Sequence, residues 1–363
     1  MSKVFISARS ILAVSLAAVL IAVAPSPARA QGCVVARLFT PPYALPSVGT
    51  PPQHGWQVSA AYRYFHSFRD FQGSKALPVP APPELFASTR VSTWDITARY
   101  GVSPRLTLAI ELPVQHATRE TAYEHDFVTH HTMSANGIGD LKLVGQLWLR
   151  EPSNAGGNLA IGGGFKLPTG SHSVSDVAHR SGGSTSRPVD PAIQLGDGGF
   201  GIILMTQGYA PVSSHTTLFA AGTYLLNPRE MNGTQSPFGD LPDFTLGDVG
   251  YTIDSVPDQF AARAGIEQRI NRVVSLNFAA RLDGVPMHDL IGGSEGYRLP
   301  GYSIALEPGV TISKSKNVVS LSMPFAVRRH AALSIADVRT ANPIGGIAAL
   351  ADRVLLVNYS RRF

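Results

Sequence analysis

Apolar and polar residues alternate with a period of two along most of the chain. Within residues 137–170, Leu141, Leu143, Leu147 and Leu149 hold odd positions while Asp140, Lys142, Gln146 and Arg150 hold even ones. That spacing makes a strand with one oily and one wet face. Leu159, Ile161, Phe165 and Leu167 repeat it against Asn158, Ala160, Gly162, Gly164 and Lys166, across the polar turn Glu151-Pro152-Ser153-Asn154. The stretch predicts a β-hairpin. Segments of the same kind start near Trp56, Trp94, Leu106, Phe260, Val274, Tyr302, Val319 and Arg353, with two less regular ones at 198–210 and 215–226, twelve in all.

The connections choose the architecture. Short turns near 103, 152, 212, 271 and 315 alternate with long polar loops at roughly 67–88, 118–136, 170–197, 227–256, 284–299 and 330–350. A soluble sandwich has no reason to sort its loops by length, whereas a transmembrane barrel has short periplasmic turns, long external loops and an even strand count. Backbone groups in lipid must be paired internally, so the sheet must close on itself. The expected fold is all-β: a transmembrane antiparallel up-and-down barrel of about 12 strands, of outer-membrane type. Trp56, Trp94, Tyr100, Trp148, Tyr224, Tyr302, Tyr359 and Phe363, at strand ends, are expected to form interfacial girdles.

Composition refines this picture at the N-terminus. Lys3 and Arg9 precede an apolar run too short to span a bilayer, and Ala28-Arg29-Ala30 is a small-x-small cleavage site. Residues 1–30 are expected to be a signal peptide cut after Ala30, which directs the product to the outer membrane of a Gram-negative cell. Residues 31–53 carry Pro41, Pro42, Pro46, Pro51 and Pro52 and form an irregular segment long enough to plug a lumen; 54–363 form the barrel. Cys33 is the one cysteine, so no internal disulfide exists. Removing Lys3, Arg9 and Arg29 from 30 bases leaves 27 against 25 acids, about +2, which gives no ground for a nucleic-acid partner. The expected partners are outer-membrane lipid, lipopolysaccharide, the barrel-assembly machinery through Phe363, and a small-molecule solute.

If the oily face meets lipid, the other face lines the lumen. It carries Arg63, Asp95, Arg99, Glu111, Asp140, Lys142, Arg150, Lys166, Arg263, Glu267, Arg269, Arg281, Asp283, Glu307 and Arg328. Both signs are mixed, so most should pair across strands and some should line a pathway. Centring the hairpin on Ser153 pairs positions that sum to 306, which sets Asp140 opposite Lys166 and Trp148 beside Asn158. Gly162 and Gly164, facing inward without side chains, leave the wall open or approached by another backbone. His116, His125, His130 and His131 lie near Glu120, Glu124 and Asp126, but the spacing fits no metal motif. Asp240, Asp243, Asp248, Asp254 and Asp258 make another loop acidic, as a solvated face. His66, His116, His215 and His330 have no Ser-rich signature beside them, so no nucleophile is expected. No nucleotide motif is present, hence no cofactor and no energy coupling in this chain.

Three short motifs carry a resemblance: Gly137-x-Gly139-Asp140, Leu167-Pro168-Thr169-Gly170 and Leu195-Gly196-Asp197-Gly198. On them the chain resembles the MetA-pathway of phenol degradation family of outer-membrane transporters. The resemblance implies passage of hydrophobic or aromatic compounds; Asp197-Gly198 departs from the Gly-Thr or Gly-Ser pair common there. The expected function is a passive channel for small hydrophobic or aromatic solutes, with no enzyme activity. The alternatives are a non-conducting structural or surface-binding barrel and, behind it, an outer-membrane hydrolase.

Overall fold

The computed structural model describes residues 55–78, 87–152, 156–239, 248–342 and 345–363. The signal peptide, its cleavage point, Cys33 and the proposed plug at 31–53 lie outside the described residues, as do Asp240 and Asp243.

Twelve strands form, where alternation predicts them: β1 Gly55–Ser67, β2 Ala87–Gly101, β3 Leu106–Thr121, β4 in two pieces (His131–Ile138 and Leu141–Trp148), β5 Asn158–Leu167, β6 Gly201–Pro211, β7 Thr216–Leu226, β8 Gln259–Arg269, β9 Val274–Val285, β10 Gly301–Lys314, β11 in two pieces (Asn317–Ser322 and Phe325–Ala331) and β12 Val354–Arg362. Each pairs antiparallel with its chain neighbours, and β12 pairs with β1 to close the barrel. Closure leaves no free edge among the twelve barrel strands, while short strands in the long loops pair separately. Pro324, which has no N–H to give the ladder, lies in the gap of β11. Gly139-Asp140 opens the gap of β4.

The two faces sort as an inside-out protein. Trp94, Leu108, Ile161, Phe165, Leu204 and Phe278 are exposed on the outer wall, while Arg63, Arg99, Glu111, Lys142, Arg263, Glu267, Arg281 and Glu307 are buried inside. Trp56 packs on Tyr100 with ring centroids 5.0 Å apart, and Tyr62 on Trp94 at 4.8 Å.

Four sequence expectations need correction. Trp148 is not in a girdle: it shares the inward face of Lys142 and Gln146, is 3% exposed, and meets Tyr209 edge-on at 5.6 Å. The hairpin pairs Lys142 with Lys166 and Trp148 with Ala160, so its positions sum to 308 and its centre lies one residue beyond Ser153. A slip of two in the sum keeps every side chain on its face. Arg328 is exposed opposite Ile304, because a bulge after Ile304 shifts the pairing and turns Arg329 inward instead, where it pairs with Asp352. Arg150 and Arg269 sit at the exposed rim and not in the lumen.

The outer-wall assignment has a direct consequence. Phe278→Arg, near the middle of β9, should destabilise the barrel in lipid vesicles by about 2–4 kcal/mol, read from the urea unfolding midpoint, whereas Phe278→Leu should change it little.

Candidate functional site: a paired lumen wall and a loop clasp

Alternation puts one charged residue after another on the inner wall, and the lumen is narrow enough for them to meet. Arg63 on β1 lies 3.3 Å from Asp95 on β2, and Lys142 on β4 donates to Glu111 on β3 at 2.9 Å. Arg263 on β8 donates to Glu307 on β10 at 2.8 Å, while Arg281 on β9 bonds Asp283 at 2.6 Å and lies 3.8 Å from Glu307. Arg99 and Glu267 are buried on the same inner face. Between these groups remains a cavity of about 80 Å³, lined among others by Arg63, Asp95, Glu111, Arg263, Arg281, Glu307 and Asn358. It is polar and large enough for water.

Above the cavity the three Gly-containing motifs converge. Asp140, in the gap of β4, accepts from the Gly170 N–H at 3.0 Å and the Asp197 N–H at 3.3 Å. Lys166 on β5 pairs with the Asp197 carboxylate and stands 3.9 Å from Asp140. The predicted Asp140–Lys166 contact is therefore made, through a different register. Thr169 Oγ1 donates to the Gly139 carbonyl and accepts from the Leu141 N–H, each at 2.9 Å. Pro168 follows the end of β5 and is exposed. The glycines are demanded by closeness: a Cβ on Gly196 would stand 2.5 Å from Asp140 Oδ1, and one on Gly137 2.7 Å from Leu195 Cδ1. The motifs thus form a clasp that fastens the start and end of the 170–197 loop to the wall.

The returning half of the fastened loop packs against the inner wall. Its Ala178, Val189 and Ile193 pack in one cluster with Phe65, Val91, Ala117, Met133 and Ala135 of β1 to β4. Burying Ile193 and Val189 contributes about 1.5–3 kcal/mol each. Inside the loop, Gln194 donates to the carbonyls of Val174 and Val189 at 3.0 and 2.9 Å, and Gln115 on the β3 wall donates to the Ile193 carbonyl at 3.2 Å. Arg119 on β3 bonds Glu124 at 2.8 Å and lies 3.4 Å from Asp190 of the same loop. Periodicity could not reveal Gln115, Gln194, Arg119 or Asp190 as loop anchors, since each of their contacts has at least one member outside the strands. Asp197 stood in a motif, and its acidity was the available signal. The wall at Gly162 is not open: the Met205 side chain occupies the space, with Cγ 2.6 Å from where a Cβ would stand. At Gly164 the neighbouring β4 backbone is the close neighbour.

The histidine loop assembles differently from its sequence order. His125 and His131 come together with His179, from the 170–197 loop, at ring separations of 4.2 to 5.8 Å. His116 instead bonds Asn136, and His130 approaches Glu120 at 3.8 Å. Among the described residues no group of three side chains has metal-holding geometry. Asp248, Asp254 and Asp258 do not form one solvated face: Asp254 and Asp258 are buried, Asp258 holds the Asn227 and Leu290 N–H groups, and Asp248 pairs with Arg339.

Comparison with known proteins bears on the fold. No family model matches the chain, and no curated protein matches it. Among solved structures, the COG4313 outer membrane channel from Pseudomonas putida F1 is 12% identical, with 90% of this chain and 100% of that chain covered at a TM-score of 0.58. The CymD monoaromatic hydrocarbon channel is 10% identical over 93% and 95% of the two chains, with a TM-score of 0.39. The translocator domain of autotransporter NalP from Neisseria meningitidis is 13% identical over 85% and 88%, with a TM-score of 0.42. The chain has the closed twelve-strand fold of an outer-membrane channel. The phenol-degradation family itself is matched by no family model.

Two outcomes follow from this geometry. Lys166→Met strands two buried carboxylates and should cost about 3–5 kcal/mol, seen as a lower unfolding midpoint, and Gly196→Ala should open the 170–197 loop to protease without unfolding the barrel. Burial and the neighbouring His131 and His179 push the His125 imidazole down to about 4 from its ordinary 6.5. The neutral ring is the folded form, so its contribution is intact above 6.5 and is lost as pH falls toward 4. Protection of the amides at 122–131 and 175–188, read as exchange relative to the intrinsic rate at each pH, should therefore fall between about pH 7 and about pH 4.5, ahead of protection in β1 to β12.

Proposed function

We propose that the chain is an outer-membrane channel that passes small hydrophobic or aromatic solutes passively. The 170–197 loop reaches into the outer lumen, fastened by the Lys166–Asp197–Asp140 clasp together with the Gln115, Arg119 and Ile193 contacts. That observation carries the reading: a separate segment docked on the wall can be displaced from it as a unit. A lumen packed by wall side chains alone would have no such part. The apolar cluster around Phe65, Val91, Met133 and Ile193 supports the solute class, because displacing the loop would bare an oily wall on the outer side of the charged layer. The motif resemblance points to the same class, and the apolar outer wall supports residence in the outer membrane.

A second reading, a non-conducting barrel, is favoured by the pairing of Arg63, Lys142, Arg263 and Arg281 with wall carboxylates. Planar-bilayer recording separates the two. The wild type should show small, infrequent openings, and Lys166→Met should raise the open probability at least tenfold. A Lys166→Met barrel that is folded and silent would remove the channel reading in favour of the non-conducting one.

A further inference from the structure

The short-turn end of the barrel carries cations on four of its five turns and at the end of β12. The turns and strand ends at that rim hold Arg105, Arg150, Arg269, Arg272, Lys314, Lys316, Arg361 and Arg362, against the single acidic side chain Glu151 among the described residues there. All but Arg362, which is half-buried, are exposed. At the other end several cations are bound to acids: Arg119 to Glu124, Arg298 to Asp289, Arg329 to Asp352 and Arg339 to Asp248. At the short-turn rim no cation has an ion-pair partner among the described residues. Arg105 and Arg269 are instead aimed by hydrogen bonds to the Trp148 and Ser214 carbonyls.

We propose that this rim is a binding surface for anionic phospholipid headgroups of the periplasmic leaflet. The proposal rests on the orientation in the preceding reading, with short turns on the periplasmic side. Three observations select lipid. The cations are spread round the circumference, one or more on four of the five short turns and two at the end of β12, as a flat surface touching all sides requires. Those at the end of β12 lie beside the exposed aromatics Trp56, Tyr100 and Phe363, with Arg361 stacked over Phe363 at 5.6 Å, which is the headgroup level of a barrel. The turns are short, so the charges stay at the bilayer surface, where anionic lipids attract them.

The test uses the full chain purified and reconstituted with equal amounts of phosphatidylglycerol and phosphatidylethanolamine, followed by native mass spectrometry of retained lipid. The wild type should retain phosphatidylglycerol in preference by about fivefold or more, a preference that shrinks as salt rises. R269Q/R272Q/K314Q/K316Q should abolish the preference while K75Q, on an outer loop, keeps it. Both variants are first checked for folding by the shift of the unheated band on a denaturing gel. Equal retention of the two lipids by the wild type, or an unchanged preference in the folded quadruple variant, overturns the proposal. Loss of the preference on adding a small excess of inorganic phosphate also overturns it, since the rim would then be a site for free anions. Binding to sedimented peptidoglycan without lipid preference would overturn it in favour of a cell-wall partner. A protein that conducts yet shows no preference refutes the lipid surface alone; one that prefers the lipid yet never conducts refutes the channel alone.

Discussion

One ammonium between two carboxylates fastens both ends of the 170–197 loop to the barrel wall. Lys166 reaches Asp197 and Asp140 in a buried site, and the Asp140 carboxylate takes the backbone N–H groups of Gly170 and Asp197. An unpaired charge there would be costly, so the three groups are mutually obligatory. What they fix is geometry: the two ends of the 170–197 loop are brought beside the gap in β4, and its returning half, residues 187–197, is largely buried against the wall while residues 181–186 stay exposed. The apolar packing of Val189 and Ile193 then follows from where the clasp sets the loop.

The lipid imposes the other constraint. A sheet in hydrocarbon must pair every backbone group within itself, which forces closure and turns the polar face inward. Twelve strands enclose a space in which long Arg and Glu side chains from separate strands meet, as Arg263 and Glu307 do across β9. The resulting wall is rigid and charged, with a small wet cavity, and the loop above it is oily.

Strand positions, loop sorting and inward face were legible because a period of two depends only on local order. Lys142, Glu111 and Arg263 were identifiable as lumen residues for that reason. Positions that depend on turn geometry were not. The hairpin register slipped by two because the turn centre is not marked by residue type, and Arg328 changed face because a bulge consumes one residue without a compositional sign. Trp148 was misplaced by its residue type although its even position already pointed inward. The site itself was half visible: Gly137, Gly139, Asp140, Thr169 and Gly170 stood out as motifs, yet nothing in their spacing told that they meet Asp197 and Lys166 in one clasp. That meeting is a long-range fact, set by strand neighbours β4, β5 and β6.

The central claim is that the 170–197 loop is the removable barrier of a channel. The most direct test is to fasten it reversibly. With Cys33→Ala as background, Gln115→Cys and Gln194→Cys place one thiol on the wall and one on the loop where Gln115 bonds the Gln194 carbonyl at 3.3 Å. Uptake of a small aromatic solute into vesicles would be followed with the two thiols joined by a short cleavable reagent and again after cleavage. The account predicts uptake that stops on joining and returns on cleavage. Uptake that proceeds unchanged with the loop fastened would contradict it.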